Sequence, residues 1–143
     1  MFNELSQSLQ LKCNNKDVDF IIENPNKNLI LDMDFPKISQ IITNFATNAI
    51  KHTYKGSIRV GYTYDTKYEE LEVYVKDTGI GIPEDKKHLV FERFKKLDNS
   101  SQGTGLGLAI VKELTTKYGI SCGVESKEGE GSYFWAKGKF KKL

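Results

Sequence analysis

Cysteine, histidine and proline are scarce in this 143-residue chain, and neither sign of charge dominates it. Cys13 and Cys122 stand far apart, with no other cysteine or histidine nearby at metal-ligand spacing. That excludes a disulfide framework and a zinc site and reads as two reduced cytosolic thiols. Twenty-one basic residues against 19 acidic ones leave a net charge of +2, too small to argue for nucleic acid as a partner. Lys137, Lys139, Lys141 and Lys142 do cluster, but as a solvated end. No apolar run approaches the roughly 18 residues that a membrane-spanning helix needs. The opening MFNELSQSLQLKC lacks the apolar stretch of a secretory signal. Internal repeats and low-complexity tracts are also missing.

What is present describes a globular domain. Hydrophobic residues make up 38% and charged residues 28%, and the length suffices for one real core. Apolar residues at Phe2, Leu5, Leu9 and Leu11 have helical spacing. VDFII (Val18–Ile22) and LILDMD (Leu29–Asp34) read as short strands around the turn-like ENPNKN. Asp34 is placed to cap the next helix, with Pro36 in its first turn. Ile38, Ile41, Ile42, Phe45, Ala49 and Ile50 then keep the i, i+3, i+4, i+7 rule to about His52. SIRVGYTY and EELEVYVKD alternate as paired strands around a turn near Asp65–Lys67. Ile58, Val60, Tyr62 and Tyr64 share one face, which is sheet packing. A helical turn is expected near Pro83–Lys87, a helix to about Lys117, and two closing strands around a Gly-rich turn. The order predicts an α+β two-layer sandwich, its mixed and mostly antiparallel sheet packed by helices on one face.

Three places carry more than packing requires. Asn44 and Asn48 lie four apart on the central helix and so share a face. Asn is mildly unfavourable there because its amide competes for backbone groups. The pair is either two amides bridging to a neighbouring loop or a neutral oxygen site for a hard cation such as Mg2+. Asp77-Thr78-Gly79-Ile80-Gly81 follows an apolar strand; it is ordinary turn chemistry or a carboxylate and glycines set against a flat base. SSQGTGLGLAIVKEL places Gly103, Gly105 and Gly107 directly before a helix, as a loop presenting N–H groups to phosphate would. Its G-x-G-x-G follows a polar segment and lacks both the dinucleotide spacing and the Walker Gly-Lys-Ser/Thr ending, which excludes a P-loop NTPase.

Taken in order, NFATNAIKHT, DTGIG, FERF and GTGLGLAIVKEL resemble the N box, first glycine box, F box and second glycine box of the sensor histidine kinase ATP-binding domain. That family shares its fold with DNA gyrase, Hsp90 and the mismatch-repair ATPases. The resemblance runs from Phe2 through GEGSYFWAKGKF and implies ATP and Mg2+ as cofactors. It implies Asn48 as the Mg2+ ligand, Asn44 facing the phosphates and Lys51 reaching toward them. Asp77 would accept the adenine amine, with Gly79, Gly81 and Ile82 beside the ring. Gly103, Thr104, Gly105, Leu106 and Gly107 would hold phosphate, and the segment between Phe94 and Gly103 would be a lid. His52 stands where the family usually has an aromatic and is retained as an adenine contact. FERFKK offers Arg93, Lys95 and Lys96 where many relatives carry Arg. Arg93 and Lys96, with Asn44 and Lys51, are the candidates for acting on the phosphates; Lys brings charge without a bidentate fork.

Asn44 also bears on the reaction. In the gyrase, Hsp90 and mismatch-repair branches a Glu at this position activates water, and an amide takes no proton at neutral pH. The resemblance therefore implies transfer of the γ-phosphate over hydrolysis. His52 and His88 lie in and near the nucleotide boxes, and neither is followed by an acidic residue as a phosphoacceptor would be. The acceptor is expected on a separate histidine-bearing dimerisation domain, with a response regulator receiver domain downstream. Residues 1–13 are expected to continue from that upstream domain and 1–143 to form one catalytic domain, with a cytoplasmic location and no membrane contact of its own. Two rivals share the motifs: a stand-alone serine kinase of the anti-sigma type and a nucleotide-sensing module without transfer activity.

Overall fold

The computed structural model describes residues 2–91 and 107–143. Helix α1 (Phe2–Lys12) leads into strand β1 (Val18–Glu23), the long helix α2 (Phe35–His52) and the hairpin β2 (Gly56–Asp65) and β3 (Glu70–Asp77). A 3-10 helix (Glu84–Leu89) follows, then α3 (Gly107–Lys117) and the closing hairpin β4 (Ser121–Lys127) and β5 (Gly131–Lys139). The five strands form one sheet in the order β1-β2-β3-β5-β4. Only β1 and β2 run parallel, with Val18 opposite Gly56; the other pairings are antiparallel. A parallel neighbour needs a crossover, and α2 supplies it.

Alternation sorts each strand into two faces. Ile58, Val60 and Tyr62 of β2, Leu71, Val73 and Val75 of β3, and Phe134 and Ala136 of β5 are buried. Onto this face α2 lays Ile38, Ile41, Ile42, Phe45, Ala46 and Ala49, all buried. Phe45 meets Phe134 with ring centroids 5.4 Å apart, and α3 lies beside α2 and β4. The expected two-layer sandwich, with helices on one sheet face, is the observed architecture. Tyr64 closes the inner row of β2 half-buried, its hydroxyl donating to Phe140 O at 2.8 Å.

Two local expectations need correction. Leu29–Asp34 is not a strand: it makes a single bridge, Leu31 to Lys142. Its remaining sheet-like bonds go to the chain end, from Asp32 N to Lys141 O (2.7 Å) and from Leu143 N to Ile30 O (2.9 Å). The paired residues are Lys141 to Leu143, and one bridge between them and Leu31 does not make a ladder. Asp34 does precede α2, but its side chain makes no cap bond. Its carbonyl starts the helix instead, accepting from Lys37 N (3.1 Å) and Ile38 N (3.3 Å). The helical turn expected near Pro83–Lys87 forms as the 3-10 helix, with Pro83 as its cap. Asp65 organises the first hairpin turn, accepting from Lys67 N (2.9 Å) and Tyr68 N (3.2 Å).

Candidate nucleotide-binding site

The C-terminal half of α2 carries four of the residues singled out in the sequence. Asn44 and Asn48 are half-buried, Lys51 is exposed and His52 is half-buried. The Asn44 Nδ2 is buried and donates no hydrogen bond among the described residues. A buried amide left in that state costs free energy unless something else accepts from it. Where α2 ends, the chain turns extended at Thr53 (φ −113°, ψ 111°).

The loop after β3 docks onto that helix end. The last carbonyl of α2, His52 O, accepts from Ile80 N at 3.2 Å. Asp77 is only 5% exposed, and its Oδ1 accepts from Gly79 N at 2.9 Å. Burial pushes the Asp77 carboxyl above its usual pKa of 3.8, while the backbone N–H groups of Gly79 and Ser132 act in the opposite direction. A side chain at Gly79 would start 2.4 Å from His52 O, 2.8 Å from Thr53 Oγ1 and 3.0 Å from Asp77 Oδ1. Gly81 has φ +69°, and a Cβ there would lie 2.1 Å from Lys127 O. Neither position admits any other residue without movement of the backbone.

The closing hairpin holds the loop from its other side. Ile80 O accepts from Gly129 N at 2.7 Å. Ile82 is buried and donates its N–H to Ser126 Oγ at 2.9 Å. Ser126 Oγ donates to Gly131 O and stands 2.8 Å from Ser132 Oγ. Ser126 has one proton to give, so Ser132 is the donor between the two hydroxyls. Ser132 pairs with Asp77 across the β3–β5 ladder. Gly131, at φ +123°, lets β5 come against Asp77 O, which a Cβ would reach at 2.0 Å.

The structure thus brings the C-terminal half of α2 (with Asn44, Asn48, Lys51 and His52) together with the Asp77, Gly79, Gly81 and Ile82 loop. Gly107 opens α3, which packs beside α2. Arg93, Lys96, Gly103, Thr104, Gly105 and Leu106 lie outside the described residues. The sequence singles out no role for Thr53, although it closes NFATNAIKHT, nor for Ser126 or Ser132. Serine and threonine in a strand or after a helix have no periodic pattern; Ser126 and Ser132 come near Asp77 through the sheet register and Thr53 through the docking of the loop on the end of α2. A separate groove of about 550 Å3 lies at the other end of α2, lined by residues such as Phe35, Ile38 and Leu71. It contains none of the candidate residues. Among the described residues no group of three or more His, Cys, Asp or Glu side chains converges as a metal site would require.

Comparison with known proteins bears on the family and the fold. The sensor histidine kinase WalK of Bacillus subtilis is 39% identical over 121 residues, which are 80% of this chain and 20% of that protein. The hybrid signal transduction histidine kinase D of Dictyostelium discoideum is 32% identical over 138 residues, 91% of this chain and 9% of its own length. The chain therefore spans a fifth or less of these two relatives. Among solved structures, full-length ShkA in complex with AMPPNP superposes with a TM-score of 0.86 at 27% identity, covering 99% of this chain and 30% of that one. The nucleotide-free catalytic domain of the histidine kinase ThkA gives 0.77 at 29% identity, covering 94% and 90%. Residues 33–142 match the family described as histidine kinase-, DNA gyrase B-, and HSP90-like ATPase, and the chain belongs to that family.

Proposed function

We propose that this chain binds Mg2+–ATP and delivers the γ-phosphate to a histidine on a separate dimerisation domain, as the catalytic domain of a sensor histidine kinase. The observation that carries the reading is Asp77, a buried carboxylate at the end of β3 beside the α2 terminus, next to two glycines that admit no side chain. An ionised carboxylate accepts and cannot donate, so it suits the exocyclic amine of adenine. Asn48 offers a neutral oxygen to Mg2+, which keeps its waters and takes charge from phosphates more than from a protein cage. The donor set fits the group: no carboxylate cluster competes among the described residues, and the buried Asn44 Nδ2 still has a hydrogen bond to give.

The metal, when bound, neutralises the phosphate charge that builds up during transfer. Asn48 and Lys51 hold the phosphate end, Asp77 the base, and Ile82 packs beside the ring, with His52 as a further contact. Gly103 to Gly107 are proposed to bind phosphate, and Arg93 and Lys96 to supply cationic charge for the transfer. Asn44 has no basic atom with which to activate water, which directs the phosphate to an external acceptor. Residues 1–13 connect to the histidine-bearing domain, residues 1–143 act as one domain, and a response regulator receives the phosphate afterwards. No helix among the described residues is long and apolar enough to cross a membrane, and the proposed chemistry belongs in the cytoplasm, where ATP is available.

Calorimetry with AMPPNP and Mg2+ tests the reading on wild type and on Asp77→Asn. A hydrogen bond to a charged acceptor is worth enough that the variant should bind about 10- to 100-fold more weakly. Equal affinity would remove Asp77 from the base pocket.

A further inference from the structure

Thr53 is the residue that the nucleotide reading leaves unexplained. It is 2% exposed, and its hydroxyl has no hydrogen-bond partner among the described residues. A buried hydroxyl that neither donates nor accepts is rare in a folded protein, because the water it lost is not replaced. Local packing does not require a hydroxyl here. The extended backbone at Thr53 suits any β-branched residue, and valine would fill the same volume without the cost.

Position supplies what packing does not. Thr53 Oγ1 and Asp77 Oδ1 lie 2.8 and 3.0 Å from the point where a Gly79 side chain would begin. Both oxygens therefore stand on one side of the Gly79 backbone, one arriving from the end of α2 and the other from the end of β3. Asp77 can only accept when ionised, whereas a hydroxyl can donate as well. Purine edges alternate donors and acceptors, so an acceptor and a donor side by side recognise more of the base than a carboxylate alone.

We infer that Thr53 is a second base-recognition residue, whose hydroxyl completes its hydrogen bonding when a 6-aminopurine lies against Asp77. The inference rests on the nucleotide reading above and extends it to the last residue of NFATNAIKHT, to which that reading gives no role. Its role is binding and selectivity; it does not touch the transferred phosphate.

The test compares wild type, Thr53→Val and Thr53→Ser in two measurements, AMPPNP affinity by calorimetry with Mg2+ and the urea unfolding midpoint without nucleotide. Thr53→Val should bind about three- to tenfold more weakly, the worth of one hydrogen bond, while its midpoint stays level or rises. Thr53→Ser keeps the hydroxyl and should stay within about twofold of wild-type affinity. Wild-type affinity in the valine variant would overturn the inference. So would affinity and midpoint falling together in that variant, which would give Thr53 a packing role, or a serine variant as weak as the valine one. Absence of AMPPNP binding by wild type would overturn the nucleotide reading itself, and this inference with it.

Discussion

A carboxylate held 5% exposed at the end of a strand is retained at a cost, since desolvation disfavours its charged form. At Asp77 that cost appears as a pKa raised above 3.8. The folded chain therefore holds this proton to higher pH than the unfolded chain does. The protonated Asp77 favours folding fully below 3.8, and that contribution is lost as pH rises through the higher folded value. Asp77→Asn does not titrate. Its unfolding midpoint, measured against wild type, should accordingly move upward as pH rises above 3.8. Parallel midpoints across that range would show that burial does not perturb Asp77. Gly81 gives a second test at this scale. Gly81→Ala puts a Cβ at φ +69° and 2.1 Å from Lys127 O, and should cost about 1–3 kcal/mol in urea unfolding. Nucleotide affinity should fall with it, because the loop must leave the hairpin to accommodate the methyl group.

At the scale of the element, α2 does two jobs. Its inward row runs to Ala49 and includes Phe45, fully buried against Phe134, and its C-terminal half carries Asn44 and Asn48 half-buried beside that row. Packing of that row thus fixes the rotation that sets the amides along its edge. Phe45→Ala should lower stability by about 3–5 kcal/mol, read from chemical unfolding, whereas Thr47→Ala on the exposed side should stay within about 0.5 kcal/mol. Equal costs for the two would mean that α2 is not held by its apolar row. The loop from Asp77 to Ile82 buries Ile82 in the core and is otherwise held by hydrogen bonds to its neighbours. His52 O, Gly129 N and Ser126 Oγ tie it to both α2 and the closing hairpin.

Across the whole molecule, the strand order β1-β2-β3-β5-β4 places β3 in the middle of the sheet. Its C-terminal end is then flanked by β2 and by β5, with α2 above it. That is why His52 and Thr53, the loop from Asp77 to Ile82, and Ser126 to Ser132 meet at one place. Under the proposed function the chain holds the phosphate donor and lacks the acceptor. Incubated alone with labelled ATP and Mg2+, it should hydrolyse slowly and label no protein. A histidine-bearing helix hairpin domain from a relative, supplied separately, should become labelled on histidine, with acid-labile phosphate. An acid-stable label on serine would replace this reading with the serine kinase alternative.

The ordered motifs make the family legible in the amino-acid sequence, because Asn44, Asn48, Asp77 and the glycines are residue types that packing alone does not demand. Helical periodicity in α2 and alternation in the hairpins are legible for the same kind of reason: burial of one face imposes a period on the chain itself. Leu29–Asp34 misleads because an apolar run shows that a segment wants burial without showing whether a partner strand exists. Asp34 misleads because a capping residue type does not determine its side-chain rotamer. Ser126 and Ser132 are silent, since a hydroxyl has no meaning until the sheet register sets it beside a carboxylate, and Thr53, though it closes NFATNAIKHT, gains one only when the loop docks on the end of α2. The amino-acid sequence by itself determined which chemical groups this protein carries and which faces it buries, both being local properties of the chain. Only the tertiary structure decided that the end of α2, the end of β3 and the β4–β5 turn converge on Gly79 and Gly81, because that convergence depends on contacts between residues far apart in sequence.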